Sequence, residues 1–198
     1  MLSMVKGCKV QDPSILFENY ARTDTGHIAN VHAEKIADVM KHFIDLQDDY
    51  VFLFLEIPSH IDTETEIEPG VVDCFHSDVF YLDGFTKENA KHFLDQFGEL
   101  FIHDGMCIFG FGAHAGGNEI KLGQYNVVSI YTKTPNRYEE FFEKHDISEV
   151  ENLITAWEYF THETAGECFR YEYRGKDIYD IVDYLKDYGL YFAERRER

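Results

Sequence analysis

The stretch Gly110 to Gly123, "GFGAHAGGNEIKLG", gathers five glycines, His114 and Glu119 within fourteen residues. Glycine-rich backbone can cradle phosphate, but a phosphate loop also needs Lys followed by Ser or Thr at the head of a helix. No Gly-Lys-Ser/Thr occurs, and the strand-like "EIKLGQYNVVSIY" that follows also fails the dinucleotide fingerprint, whose second element is a helix. A hairpin fits better: Gly116, Gly117 and Asn118 would supply the positive φ values of its turn. Gly110 and Gly112 alternate along the preceding strand, which marks a bulge or a close approach of other atoms. An enzyme or small-ligand binder that uses Gly110 to Gly117 with His114 and Glu119 stays as the alternative.

Metal chemistry has one candidate set. Cys74, His76 and Asp78 in "DCFHSDVF" would line one face if extended, and His103, Cys107 and His114 could complete a site. Zinc sites usually show two close ligand pairs, and only one is visible, so buried cysteine and incidental histidines are the expected reading. No metal or other cofactor is expected. Nucleophilic catalysis lacks a GxSxG elbow, and His162 lies near Cys168 in sequence only. No catalytic residue is assigned.

The aromatic and acidic residues say more. In "KDIYDIVDYLKDYG", Ile178, Ile181, Val182 and Leu185 take the core-facing stripe of a helix, while Asp180, Asp183 and Asp187 fall on another face beside Tyr184 and Tyr188. Tyrosine beside carboxylate suits an interface for a basic partner, because the ring supplies rigid area and the acid supplies steering and charge-assisted hydrogen bonds. Upstream, in "HIDTETEIEPG", Asp62, Glu64, Glu66 and Glu68 alternate with Ile61, Thr63, Thr65 and Ile67. If extended, a period of two puts all four carboxylates on one face, so the stretch reads as an edge strand or mobile surface loop.

These groups need elements to hold them. The spacing predicts a helix from about Val31 to Gln47 capped by Asn30, then a strand from Tyr50 to Ile57 buried on both faces. Asp78 to Leu82 reads as a strand, and "TKENAKHFLDQFGELF" as a helix opened by Thr86 and stopped by Gly105. Met106 to Gly112, Glu119 to Leu122 and Tyr125 to Thr132 follow as strands. "TPNRYEEFFEKHD" opens a helix with Thr134 as cap and Pro135 at its first position, and Ser148 with Glu151 makes a capping box for another. After Gly166, "ECFRYEYRG" alternates as a strand should. The Tyr/Asp helix then ends at Gly189, and a short strand, Leu190 to Ala193, leads into the charged tail "ERRER". Helices and hairpins mix without strict βαβ alternation, so the expected fold is α+β with a mainly antiparallel sheet, as a single domain over residues 1–198.

Composition limits the partners. The 198 residues carry 37 Asp plus Glu against 18 Lys plus Arg, a net charge of -19, which repels nucleic acid and anionic membranes. Apolar residues make up 44% of the chain and aromatics 16%, so it should bury a substantial core. Without a targeting segment or an apolar run of membrane-spanning length, and with Cys8, Cys74, Cys107 and Cys168 widely spaced, a cytoplasmic protein with reduced thiols is expected.

An acidic, single-domain α+β chain of this character resembles the immunity proteins that bacteria carry against polymorphic toxins. The stretches "YTKTPNRYEEFFEKHDI" and "ITAWEYFTHETAGECFRYEYRGKDIYDIVDYL" carry the likeness. It implies a protein that binds a basic toxin, such as a nuclease, and blocks or distorts its active site. No catalytic residue is implied. An oligomeric structural protein packing its aromatics against copies of itself is the third reading, and the oligomeric state is left open.

Overall fold

A computed structural model of the chain describes residues 1–48, 50–60, 66–69, 71–72 and 76–197. The first half of the chain forms β1 (Cys8–Lys9), β2 (Asn19–Thr23), β3 (Gly26–Asn30), α1 (Ile36–Asp45), β4 (Val51–Pro58), β5 (Glu66–Glu68), β6 (Val71–Val72) and β7 (His76–Phe85). Next come α2 (Lys87–His103), β8 (Ile108–Ala113), β9 (Asn118–Leu122), β10 (Val127–Tyr131) and α3 (Asn136–Lys144). The last elements are β11 (Ser148–Glu149), α4 (Ala156–Tyr159), β12 (Glu167–Cys168), α5 (Ile178–Lys186) and β13 (Tyr191–Glu197). No described helix is long and apolar enough to cross a membrane.

Nine strands make one sheet in the order β11-β2-β3-β10-β9-β8-β4-β7-β13. Its neighbours are antiparallel except for the short β11, which runs parallel to β2, so the fold is α+β. Register decides which side chains meet: Leu53 stands opposite both Leu82 and Phe111, Phe111 opposite Ile120, and Ile120 opposite Ile130. These residues share one face, and the buried residues of all five helices join them in a single core cluster. Burying a ring such as Phe109 or Phe111 contributes about 1.5–3 kcal/mol.

The opposite face of the sheet lies outside that cluster and is partly open, with Tyr131 and Tyr191 exposed on it. Tyr50 to Ile57 was expected to be buried on both sides, yet Phe52 and Glu56 on this second face are only half-buried. The glycines of the opening stretch are explained here. A Cβ at Gly112 would fall 2.1 Å from Phe52 Cζ, and one at Gly110 would fall 1.9 Å from Ile120 O and 2.7 Å from Phe54 Cε1. Rings of β4, and at Gly110 the backbone of β9 as well, therefore occupy the space that side chains on β8 would fill, which is the close approach inferred from the alternating glycines. The turn is a hairpin with Gly116 at φ 87° and Gly117 at φ 66°, while Asn118 already belongs to β9 and has no positive φ.

Several expected boundaries moved. Asn30 ends β3 instead of capping a helix, and α1 follows a 3-10 turn over Ala33–Lys35. Asp104, not Gly105, caps the end of α2. Pro135 stands at the head of α3, but the Thr134 hydroxyl faces Thr132 at 3.3 Å and caps nothing. Ser148 lies in β11, and the capping box belongs to Thr155 and Glu158 ahead of α4. "ECFRYEYRG" forms only the two-residue β12 and an isolated bridge, Tyr173 with Lys176. The charged tail is itself the strand β13 and pairs with β7.

Buried histidines make this fold sensitive to acid. His27 has a fully buried side chain, edge-on to Tyr20 and Phe142, with Nε2 at 3.4 Å from Glu139. Burial pushes His27, His42 and His103 below the usual histidine range, against the opposing pull of Glu139 on His27 and Glu99 on His103. A histidine lowered in the folded state binds its proton more readily when unfolded. Its share of stability is therefore complete above pH 6.5 and drains away as pH falls through that value toward the folded pKa. Melting curves from pH 8 to pH 5 should show a falling transition temperature, and His27→Gln should flatten the fall. A transition temperature unchanged across that range would contradict the assignment.

Candidate functional site

Helix α5 carries three of the nominated residues, Asp180, Asp183 and Tyr184, with Asp187 as its C-terminal cap and Tyr188 next in the chain, on a framework set by local sequence. Asp177 caps it by accepting hydrogen bonds from Tyr179 N (2.9 Å) and Asp180 N (3.1 Å), and Asp180 answers by accepting from Asp177 N at 3.0 Å. This reciprocal cap fixes the first turn. Ile178, Ile181, Val182 and Leu185 bury the inner stripe. What stays outside divides between two grooves.

The first groove, about 260 Å³, lies between α2 and α5 and is lined by Phe93, Phe97, His92, Leu185, Tyr184 and Tyr188 among others. Tyr184 donates its hydroxyl proton to Tyr188 Oη at 2.9 Å, and its ring contacts that of Phe97 at 5.9 Å. Tyr188 is 63% exposed and Tyr184 41%, high values for rings beside an apolar groove. The hydrogen bond between the two hydroxyls holds the Tyr184 phenol above its ordinary range, so that ring is neutral near pH 7.

The second groove, about 470 Å³, is acidic. Asp78, Asp177, Asp180 and Asp183 line it together with His60 and Lys186. Cations offset part of this charge: Lys186 Nζ lies 2.7 Å from Asp183, and Arg195 grips both oxygens of Asp78, Nε at 2.7 Å and a terminal nitrogen at 3.0 Å. Asp187 is exposed at the C-terminal cap of α5. The structure thus keeps the tyrosines and aspartates on α5 and the turn that ends it but sends Tyr184 and Tyr188 to one side and Asp180 and Asp183 to the other.

Of the acidic stripe, Asp62 and Glu64 lie outside the described residues. Glu66 and Glu68 are exposed in β5, which pairs with β6 in a separate two-stranded sheet. The register shifts between Glu66 and Glu68, so the strict alternation expected of the stripe is broken there.

Among the described residues, the suggested metal ligands do not converge. Cys74 lies outside the described residues, Asp78 is held by Arg195, and His76 sits half-buried in β7. His103, at the end of α2, accepts a hydrogen bond from Lys6 N at 3.1 Å, Cys107 is buried in the core, and His114 lies at the hairpin turn. Among the described residues no three potential ligands come together.

One surface was missed by sequence reasoning. Across the open sheet face, His114, Phe52, Tyr81 and Tyr191 form a row with successive ring separations of 4.9, 5.8 and 6.2 Å. Asp83 accepts hydrogen bonds from both ends, from His114 Nε2 at 3.1 Å and Tyr191 Oη at 3.2 Å. Glu119 shares this face, opposite Gly112, and burial pushes its carboxyl up despite Lys121. The available signal was the pairing of "VFLFLE" with "GFGA", in which phenylalanines on one strand meet glycines on the next.

No family model, curated protein or solved structure matches the chain.

Proposed function

We propose that this chain is a binding module for a basic protein, of the kind immunity proteins exemplify, with α5 and its flanking grooves as the contact surface. The observation that carries this reading is the outer side of α5: two exposed, hydrogen-bonded tyrosines over an apolar groove, with four aspartates lining the groove next to it. Rigid aromatic rings beside carboxylates are suited to anchor a basic partner. The placement of charge on the helix supports the same reading. Asp187 lies at the C-terminal cap of α5, where the helix dipole disfavours an acid by about 0.3–1 kcal/mol, so it does not serve helix stability. A net charge of -19 would steer such a partner in and speed association at low salt. The implied activity is neutralisation of a basic toxin by direct contact.

The test is capture from source-cell lysate on immobilised protein at low salt, eluted by a salt gradient, with a Tyr184→Ala/Tyr188→Ala column in parallel. A basic protein held by the wild-type column, released by salt and depleted from the variant column is the expected result. With that partner in hand, Tyr184→Ala should raise the dissociation rate roughly 10-fold to 100-fold and leave association nearly unchanged. An acidic partner, or binding indifferent to ionic strength, would defeat the proposal. Loss of capture by Tyr81→Ala/Tyr191→Ala, with the α5 variant unaffected, would move the interface to the open sheet face.

A further inference from the structure

The described cysteines include a pair that neither the fold nor the proposed binding surface explains. Cys8 in β1 and Cys168 in β12 are direct cross-strand partners, 160 positions apart in sequence, with sulfurs 3.6 Å apart and no disulfide between them. The β1 and β12 strands form a two-stranded sheet of their own, outside the nine-stranded sheet. We propose that Cys8 and Cys168 form a redox-responsive disulfide site that clasps the N-terminal segment to the segment before α5, with a low-molecular-weight disulfide as oxidant.

The backbone around the two sulfurs is already fixed. Gly7 N donates to His103 O (2.8 Å), Phe169 N to Gly7 O (2.9 Å) and Gly105 N to Phe169 O (3.1 Å), so three distant segments are tied together one residue from each cysteine. Directly paired positions on antiparallel strands bring Cβ atoms to about 4.5–5.5 Å, close to what a disulfide requires, so the bond needs little backbone movement. Two thiols held in this way meet at high effective concentration, which favours the intramolecular disulfide over mixed species.

The chemistry balances as an exchange. Cys168, the half-buried member of the pair, attacks one sulfur of the external disulfide as its thiolate and expels one small thiolate. Cys8 then loses its proton and attacks the Cys168 sulfur, expelling the second. Two protein thiols are oxidised, one external disulfide is reduced to two thiols, and both protons end on the products. The hydrogen bond to Cys168 and burial push the Cys8 thiol up, so it suits the second, intramolecular role and not the first attack.

The test uses the whole native chain, equilibrated with oxidised glutathione, then blocked with a thiol reagent and read by intact mass and peptide mapping. A mass loss of two hydrogen atoms and a cross-linked Cys8/Cys168 peptide are expected. Cross-linking so long a loop should raise the transition temperature by roughly 5–15 °C over the reduced protein. Cys8→Ser and Cys168→Ser should each abolish the mass loss and the temperature rise, and Cys107→Ser should keep both. Thiols that stay free, a persistent glutathione adduct on Cys168, or a cross-link through Cys74 or Cys107 would each overturn the proposal.

Discussion

Asn126→Ala should destabilise the chain by about 3–5 kcal/mol, a large share of the stability of an ordinary domain. The Asn126 side chain is fully buried and holds three backbone groups: Oδ1 accepts from Val5 N at 2.9 Å, and Nδ2 donates to Ser3 O and Val31 O, each at 2.8 Å. Alanine would leave these groups unsatisfied in the interior, at about 1–3 kcal/mol for each group that water cannot reach. The backbone adds to the loss, because Asn126 lies at φ 65° beside Tyr125 at φ 57°, a region that Asn tolerates and Ala resists by about 1 kcal/mol. Asn126→Gly separates the two effects, since it relieves the strain and still removes every hydrogen bond. Urea unfolding of the three proteins should therefore rank wild type above glycine and glycine above alanine. A loss below about 1 kcal/mol for alanine would mean that the N-terminal segment is not held by this residue.

Asn126 gives no warning in the sequence, where it sits between a tyrosine and two valines. The elements that could be read were those whose signals are local. Thr86 accepts from Asn89 N at 3.2 Å, and Asp177 caps α5, because a cap and its helix lie within a few residues of one another. Asn30 has the same residue type as a cap, but its carboxamide donates to Phe17 O and Ile154 O, which belong to remote segments. Capping-box spacing occurs twice in quick succession, at Ser148/Glu151 and at Thr155/Glu158. Only the second opens a helix, because Val150 N is already committed to Tyr20 O at 2.8 Å and the chain there is drawn to the sheet edge. The run "ERRER" reads as a charged tail, yet Arg195 finds Asp78, 117 positions away, and Arg196 finds Glu56 at 3.3 Å. Charge of this kind on an edge strand, with the bulge near Ala193, also discourages pairing with another chain.

The candidate site divides in the same way. Tyr184, Tyr188 and the aspartates of α5 could be placed on one helix from spacing alone, since helical periodicity is a local property. Their separation into an apolar and an acidic groove could not, because it depends on Phe97 of α2 approaching one flank and on Asp78 of β7 approaching the other. The aromatic row on the open face requires the register of four strands at once. No period within any one of them reveals it.

Gly7→Ala should be nearly as damaging as Asn126→Ala, at about 3 kcal/mol or more, and it tests the second tie on the N-terminal segment. A Cβ at Gly7 would fall 2.3 Å from Gly105 N, 2.5 Å from His103 O and 2.7 Å from Phe169 O, and every one of these is a backbone atom. A flexible side chain could swing aside; three hydrogen-bonded main chains cannot move without giving up the bonds that join them. The fair comparison is Gly175→Ala, at φ 72° with open space around it, where only conformational strain of about 1 kcal/mol is expected. If the two variants lose the same stability, the crossing of the three segments is looser than its distances imply. The same substitution bears on the cysteine pair, because shifting Gly7 also shifts Cys8 away from Cys168. At a fixed ratio of oxidised to reduced glutathione, Gly7→Ala should therefore give a lower yield of the Cys8/Cys168 cross-link than wild type, whereas Gly175→Ala should leave that yield unchanged.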